Sequence, residues 1–212
     1  CTAYSVHENG HISTAVCSAS SKVRTVQPDT GKIQLAYGTE TLQDKIDECV
    51  DKMLKKLRKD TQQIVAVGFT TFVMNLIAVD AEGHVIGDQC TLSYACNTPE
   101  VAQECKDLRQ QLGTDRLHHL YQQTGAPIHS AYALPQLRTL YRTCPANDLD
   151  RIYKWQSLAS LCLGRWTGQI SLPISYSEAS WTGLFNFRHC AYEYEATELL
   201  PRGCLGTLPR LA

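Results

Sequence analysis

Residues 63–80 constrain the fold more than any other stretch of this 212-residue chain. They open with the apolar run Ile64-Val65-Ala66-Val67, ended by Gly68, and close with Leu76-Ile77-Ala78-Val79 before the turn Asp80-Ala81-Glu82-Gly83. Short Val- and Ile-rich runs bounded by turn residues read as strands buried on both faces. The polar pair Thr70-Thr71, followed by Phe72-Val73-Met74-Asn75, interrupts them. A polar kink between buried strands is a natural place for ligand-facing side chains. A plain core strand that tolerates two threonines has the same periodicity.

The flanking segments supply layers for such a sheet. Residues 1–6 and 11–18 alternate around Asn9-Gly10, a pair in which both residues tolerate positive φ, so a β-hairpin is expected. That hairpin and residues 64–70 are expected in one sheet. Residues 41–58 carry Leu42, Ile46, Cys49, Met53 and Leu57 at helical spacing, with Thr41 and Asp44 placed as a capping pair. Lys52, Lys55, Lys56, Arg58 and Lys59 crowd the end of this helix, where cations complement the dipole. A solvated, dipole-matched face explains them better than a nucleic-acid patch.

Thr98-Pro99 opens a second helix, with Thr98 as cap, an apolar stripe of Val101, Ala102, Cys105, Leu108 and Leu112, and Gly113 as its end. Further helices are expected over 115–123 (closed by Gly125), from 135 to 141, over 157–165 and over 192–200. The order β-β-α-β-β followed by mostly helix gives an α/β class.

Bulk properties remove several functions. With 20 basic and 21 acidic residues the formal charge is -1, so nothing electrostatic argues for nucleic acid or an anionic membrane. No apolar stretch approaches the ~18 residues of a transmembrane helix, and the first residues lack a signal-peptide pattern. The ten cysteines include no CxxC pair, and several fall inside expected helices. They read as buried thiols of a reducing, cytoplasmic compartment. His118-His119 point about 100° apart on a helix, so they cannot share a metal, and no ligand set completes a zinc site. Pro28-Asp29-Thr30-Gly31 reads as a simple turn. It is not a phosphate loop, which would follow an apolar strand.

The segment from Val67-Gly68-Phe69-Thr70-Thr71-Phe72 through Asp80 resembles the central stretch of the N-terminal domain in the FGGY carbohydrate kinases, most of all the gluconate-type branch. The likeness continues through Thr124-Gly125-Ala126-Pro127-Ile128-His129-Ser130-Ala131-Tyr132 and Pro135-Gln136-Leu137-Arg138. It then runs through Tyr176-Ser177-Glu178-Ala179-Ser180-Trp181-Thr182-Gly183-Leu184-Phe185 to Leu208-Pro209. The resemblance implies a ribonuclease H-like domain of the actin-like ATPase superfamily, a mixed sheet flanked by helices and incomplete at both ends. It implies ATP-dependent phosphorylation of a hydroxyl of a sugar, polyol or sugar acid by an intact, cytoplasmic protein, with a homodimer possible.

By the same resemblance, Thr71, Met74, Asn75, His129 and Tyr132 are the substrate-binding candidates. No catalytic base or metal ligand is expected within residues 1–212. The phosphate-loop strand and the C-terminal domain that bind ATP and Mg2+ are expected outside them. Two places depart from the pattern: Met74 stands where gluconate-type relatives carry His, and Ala95-Cys96-Asn97-Thr98 stands where relatives commonly read Ala-Asp-Thr-Arg, so both the carboxylate and the guanidinium are absent. These losses leave a second reading open, a degenerate homologue serving as a sugar sensor or protein-interaction module.

Overall fold

A computed structural model describes residues 1–22, 36–37, 40–71, 74–87 and 90–212. The Pro28–Gly31 turn lies outside these residues. The chain divides into two compact units, with the described residues up to Phe69 in the first and those from Thr70 in the second.

In the first unit, β1 (Thr2–Val6) pairs antiparallel with β2 (Ile12–Ser18). Gly10 takes φ 80, and the Asn9 side chain accepts from the His11 amide at 3.0 Å, so the turn forms as its residues dictate. A two-residue ladder, β3 (Ala36–Tyr37) with β4 (Glu40–Thr41), leads into α1 (Leu42–Leu57). The capping box at Thr41 and Asp44 is complete on both sides. Cys49 and Met53 of α1 pack on Ala19 with Ala3, Cys17 and Leu57, a small apolar cluster between helix and hairpin.

One expectation fails in this unit. Residues 64–70 form no strand and are exposed throughout, with Val65 83% and Val67 69% accessible. A strand exists only where neighbouring backbone takes up its N–H and C=O groups. Among the described residues β1 and β2 pair only with each other, and no described strand pairs with 64–70.

The second unit holds the main core. Its sheet runs β6-β5-β7, with β5 (Asn75–Val79) central, β6 (Thr91–Ser93) on one side and β7 (Lys154–Gln156) on the other, all antiparallel. Every residue of β5 is buried, as expected of a strand covered on both faces. Helix α2 (Pro99–Thr124) breaks at Gly113, whose φ 68 and ψ 173 are non-helical, and ends at left-handed Gly125. Both glycines therefore punctuate as the sequence indicates. Thr98 occupies the cap position without a side-chain cap bond, and the inward stripe includes Glu104 in place of Ala102, which faces out.

Helix α3 (Ala133–Thr143) starts two residues before the expected Pro135, and the one-turn α4 (Ala146–Asp150) follows it. After β7 comes α5 (Leu158–Thr167), capped by the Ser157 hydroxyl. Then come α6 (Tyr176–Ser180), the ladder β8 (Phe185–Asn186) with β9 (Ala191–Tyr192), α7 (Tyr194–Glu198) and α8 (Cys204–Thr207). Leu76, Ala78, Leu92, Leu108, Leu134, Leu137 and Trp155 form the centre of the core cluster.

All ten cysteines are thiols. Cys1 and Cys190 are exposed, whereas Cys49, Cys90, Cys96, Cys105, Cys162 and Cys204 are buried. Burial pushes the Cys204 thiol up to about 11 and raises Cys105 as well, which keeps both protonated and slow to react. Alkylation of native protein is therefore expected to label Cys1 and Cys190 first, and denatured, unreduced protein to titrate all ten. Recovery of half that number or fewer would contradict the thiol assignment.

Candidate functional site

All five candidate residues lie in the second unit. Thr71 is half-buried near its start, and Phe72 and Val73 lie outside the described residues. Met74 is 4% exposed and takes φ 36, a left-handed backbone that costs a non-glycine residue ~1–3 kcal/mol. This is the kink expected ahead of the second apolar run. The Met74 carbonyl accepts from the Tyr94 amide at 2.9 Å, which extends the β5–β6 ladder by one step. Asn75, also 4% exposed, turns its Oδ1 to the Leu158 amide at 3.3 Å and so ties β5 to the start of α5. Its carbonyl-type oxygen is therefore engaged in the fold.

His129 and Tyr132 come from the loop between Gly125, which stops α2, and the start of α3. His129 is exposed; its Nδ1 accepts from the Ala131 amide at 3.1 Å and its carbonyl from the Tyr132 amide at 3.0 Å. An accepting Nδ1 leaves Nε2 as the N–H of the neutral ring, a donor on an exposed side chain. Tyr132 is half-buried, and burial, then nearby Tyr94 and Tyr121, push its phenol above the ordinary value. The hydroxyl stays protonated at neutral pH and can donate to an oxygen.

Gly183 supports Tyr132 by close approach. At φ 73, any Cβ on residue 183 would lie 3.1 Å from Tyr132 Cβ and 3.3 Å from its ring, so a side chain there would both strain the backbone and push Tyr132 aside. The neighbouring Trp181 meets Tyr94 edge-to-face, with ring centroids 5.9 Å apart and planes at 86°. Both rings remain partly exposed, Tyr94 at 47% and Trp181 at 38%. The edge-to-face pairing is the favourable quadrupole arrangement of two aromatics.

Tyr94, Tyr132, His129 and Trp181 thus come from three segments, and Tyr94 is bonded through its backbone to Met74. The sequence does not single out Tyr94 or Trp181 as site residues, although both lie in or beside segments that carry the family likeness. Pairing between them depends on distant parts of the chain. Such a face offers an exposed imidazole, a half-buried phenol and partly exposed aromatic surface. Elsewhere, His118 meets Gln122 at 2.8 Å rather than His119. Among the described residues no group of three His, Cys, Asp or Glu side chains is arranged to hold a metal ion.

The family model for the FGGY family of carbohydrate kinases, N-terminal domain, matches residues 8–211. The chain belongs to the FGGY family. Its fold is that of FGGY kinases of known structure. The gluconate kinase from Lactobacillus acidophilus superposes with a TM-score of 0.71 at 17% identity, over 98% of this chain and 38% of that one. A ligand-bound xylulose kinase from Lactobacillus acidophilus gives 0.66 at 16% identity, over 98% of this chain and 38% of that one. The Plasmodium falciparum glycerol kinase with ADP gives 0.70 at 12% identity, over 97% and 39%. The FGGY chain described here thus spans about two fifths of the length of these structures. No curated protein matches it in sequence. Like those kinases it is a mixed α/β fold of the actin-like ATPase type, and none of its described helices is long and apolar enough to cross a membrane.

Proposed function

We propose that this chain is the sugar-binding part of a longer, cytoplasmic carbohydrate kinase that phosphorylates a hydroxyl of a sugar, polyol or sugar acid. The observation that supports this best is the family match over residues 8–211 combined with the face formed by Tyr94, His129, Tyr132 and Trp181. In this reading the sugar lies over that face. His129 Nε2–H and the Tyr132 hydroxyl hydrogen-bond substrate hydroxyls, and the aromatic rings cover its C–H surface. Buried hydroxyls need such partners, since an unpaired one costs ~1–3 kcal/mol. Thr71, Met74 and Asn75 set the floor, through the strained turn at Met74 and the Asn75–Leu158 tie.

The family implies ATP and Mg2+. In this reading both are held by parts of the longer protein outside residues 1–212. No step through the nucleotide is therefore drawn from this chain. Phosphoryl transfer rests on positioning and charge clamps, and the part proposed for these residues is positioning of the acceptor.

A second reading is favoured by one observation. At the kink, Met74 offers a buried thioether and the Asn75 oxygen is occupied by the Leu158 amide. A site poorer in hydroxyl partners suits a sugar sensor or an interaction module. The test is ADP release by the full-length protein against gluconate, xylulose, ribulose and glycerol. Turnover of one of these is expected, with a raised KM or lowered kcat for Asn75→Ala. Inertness on the whole panel, with activity gained in Met74→His, would replace the kinase reading with the sensor.

A further inference from the structure

Gln136 sits in the first turns of α3 and is almost fully buried. Its side-chain amide makes three hydrogen bonds. Oε1 accepts from the Ser93 amide at 2.9 Å, and Nε2 donates to the Ser93 carbonyl at 2.7 Å and to the Ser130 carbonyl at 2.6 Å. Ser93 ends β6, the edge strand of the sheet. In an antiparallel ladder successive residues direct their N–H and C=O groups to alternate sides. Tyr94 bonds back to Met74 on the β5 side, so Ser93 points its pair outward, where a further strand would lie. Gln136 takes both groups as that strand would, and with its remaining donor holds the loop.

The two segments joined in this way carry the site. Ser93 is followed by Tyr94, which meets Trp181, and Ser130 stands between His129 and the Ala131-Tyr132 pair. We infer that Gln136 is a positioning residue that fixes the aromatic wall of the site, Tyr94, relative to its hydroxyl-binding wall, His129 and Tyr132. The inference rests on the reading of this face as the sugar site. No other side chain type supplies this set at once. Glutamate accepts from Ser93 but, ionised, turns a negative oxygen toward two carbonyls. Methionine fills the volume with neither donor nor acceptor. Gln136 touches no substrate in this account and acts only through the segments it joins.

The test compares full-length wild type with Gln136→Met and Gln136→Glu in two measurements. In the first, ADP release is followed with gluconate, xylulose, ribulose and glycerol well below the melting temperature of each variant. A positioning role raises KM for the accepted sugar at least tenfold. A merely structural role lowers the active fraction and leaves KM unchanged, which would overturn the inference. In the second, amide hydrogen exchange is read without any sugar. Protection at Ser93 and Ala131 is expected to fall together in Gln136→Met while Ile77 in the central strand stays protected. A uniform loss across the unit, or unchanged exchange at both positions, would overturn the inference. If wild type accepts none of the sugars and Met74→His gains activity, the kinase reading fails. The exchange result then decides the role of Gln136 in joining the two segments by itself.

Discussion

Replacing Glu104 with alanine is expected to destabilise the second unit by about 3–5 kcal/mol, the cost of breaking a buried ion pair and leaving its partners uncompensated. Glu104 has no exposed side-chain surface. Its Oε1 receives Arg138 Nε at 2.6 Å, and its Oε2 meets the Arg142 guanidinium as a charge contact rather than an aligned hydrogen bond. Arg138 also donates to the Leu199 carbonyl at 2.7 Å, so one carboxylate organises α2, α3 and the end of α7. Removing it strands one guanidinium that is three-quarters covered. For a unit of this size the melting temperature should drop by on the order of 10 °C. Glu104→Gln keeps an acceptor for Arg138 and should lose less. A Glu104→Ala midpoint within a degree or two of wild type would show that the pair contributes little.

Trp155→Ala is the other large effect expected. Trp155 is fully buried in β7, opposite Ala78 of the central strand and within the main core cluster. Truncating a buried tryptophan removes its transfer free energy and leaves a cavity that a two-sided strand cannot close, about 3–5 kcal/mol together. Chemical denaturation should show a lower midpoint with an unchanged slope, since the unfolded surface hardly differs. The indole N–H lies beside the Tyr141 hydroxyl without forming an aligned hydrogen bond to it. Trp155→Phe, which keeps an aromatic ring and removes that N–H, should therefore cost distinctly less than alanine. Equal losses for the two variants would mean that the indole nitrogen contributes more than the geometry shows.

The segments visible in the sequence are those whose signals act over a few residues. The Asn9-Gly10 turn, the Thr41/Asp44 capping box and the breaks at Gly113 and Gly125 are each decided by φ preferences and hydrogen bonds within about four positions. The buried run 76–79 was legible for the same reason, since an unbroken apolar string has few places to go. The family likeness, too, is carried by short ordered segments and covers residues 8–211.

Wherever the partner is distant in the chain, tertiary structure decided the outcome. Residues 64–70 look like the buried strand 75–79 by composition, yet they are exposed, because a strand needs neighbouring backbone and composition cannot supply it. Glu104 lies in a stripe that reads as apolar and is buried only because Arg138 and Arg142 of α3 neutralise it there. Of the candidate residues, the sequence placed His129 and Tyr132 in one loop but could not bring Tyr94 and Trp181 beside it. It also could not show that the Asn75 oxygen is committed to Leu158. Local chemistry sets which conformations each segment can take. Which groups lie across from it, and so whether a side chain is available to a ligand or already bonded, is settled only when the sheet and α3 come together.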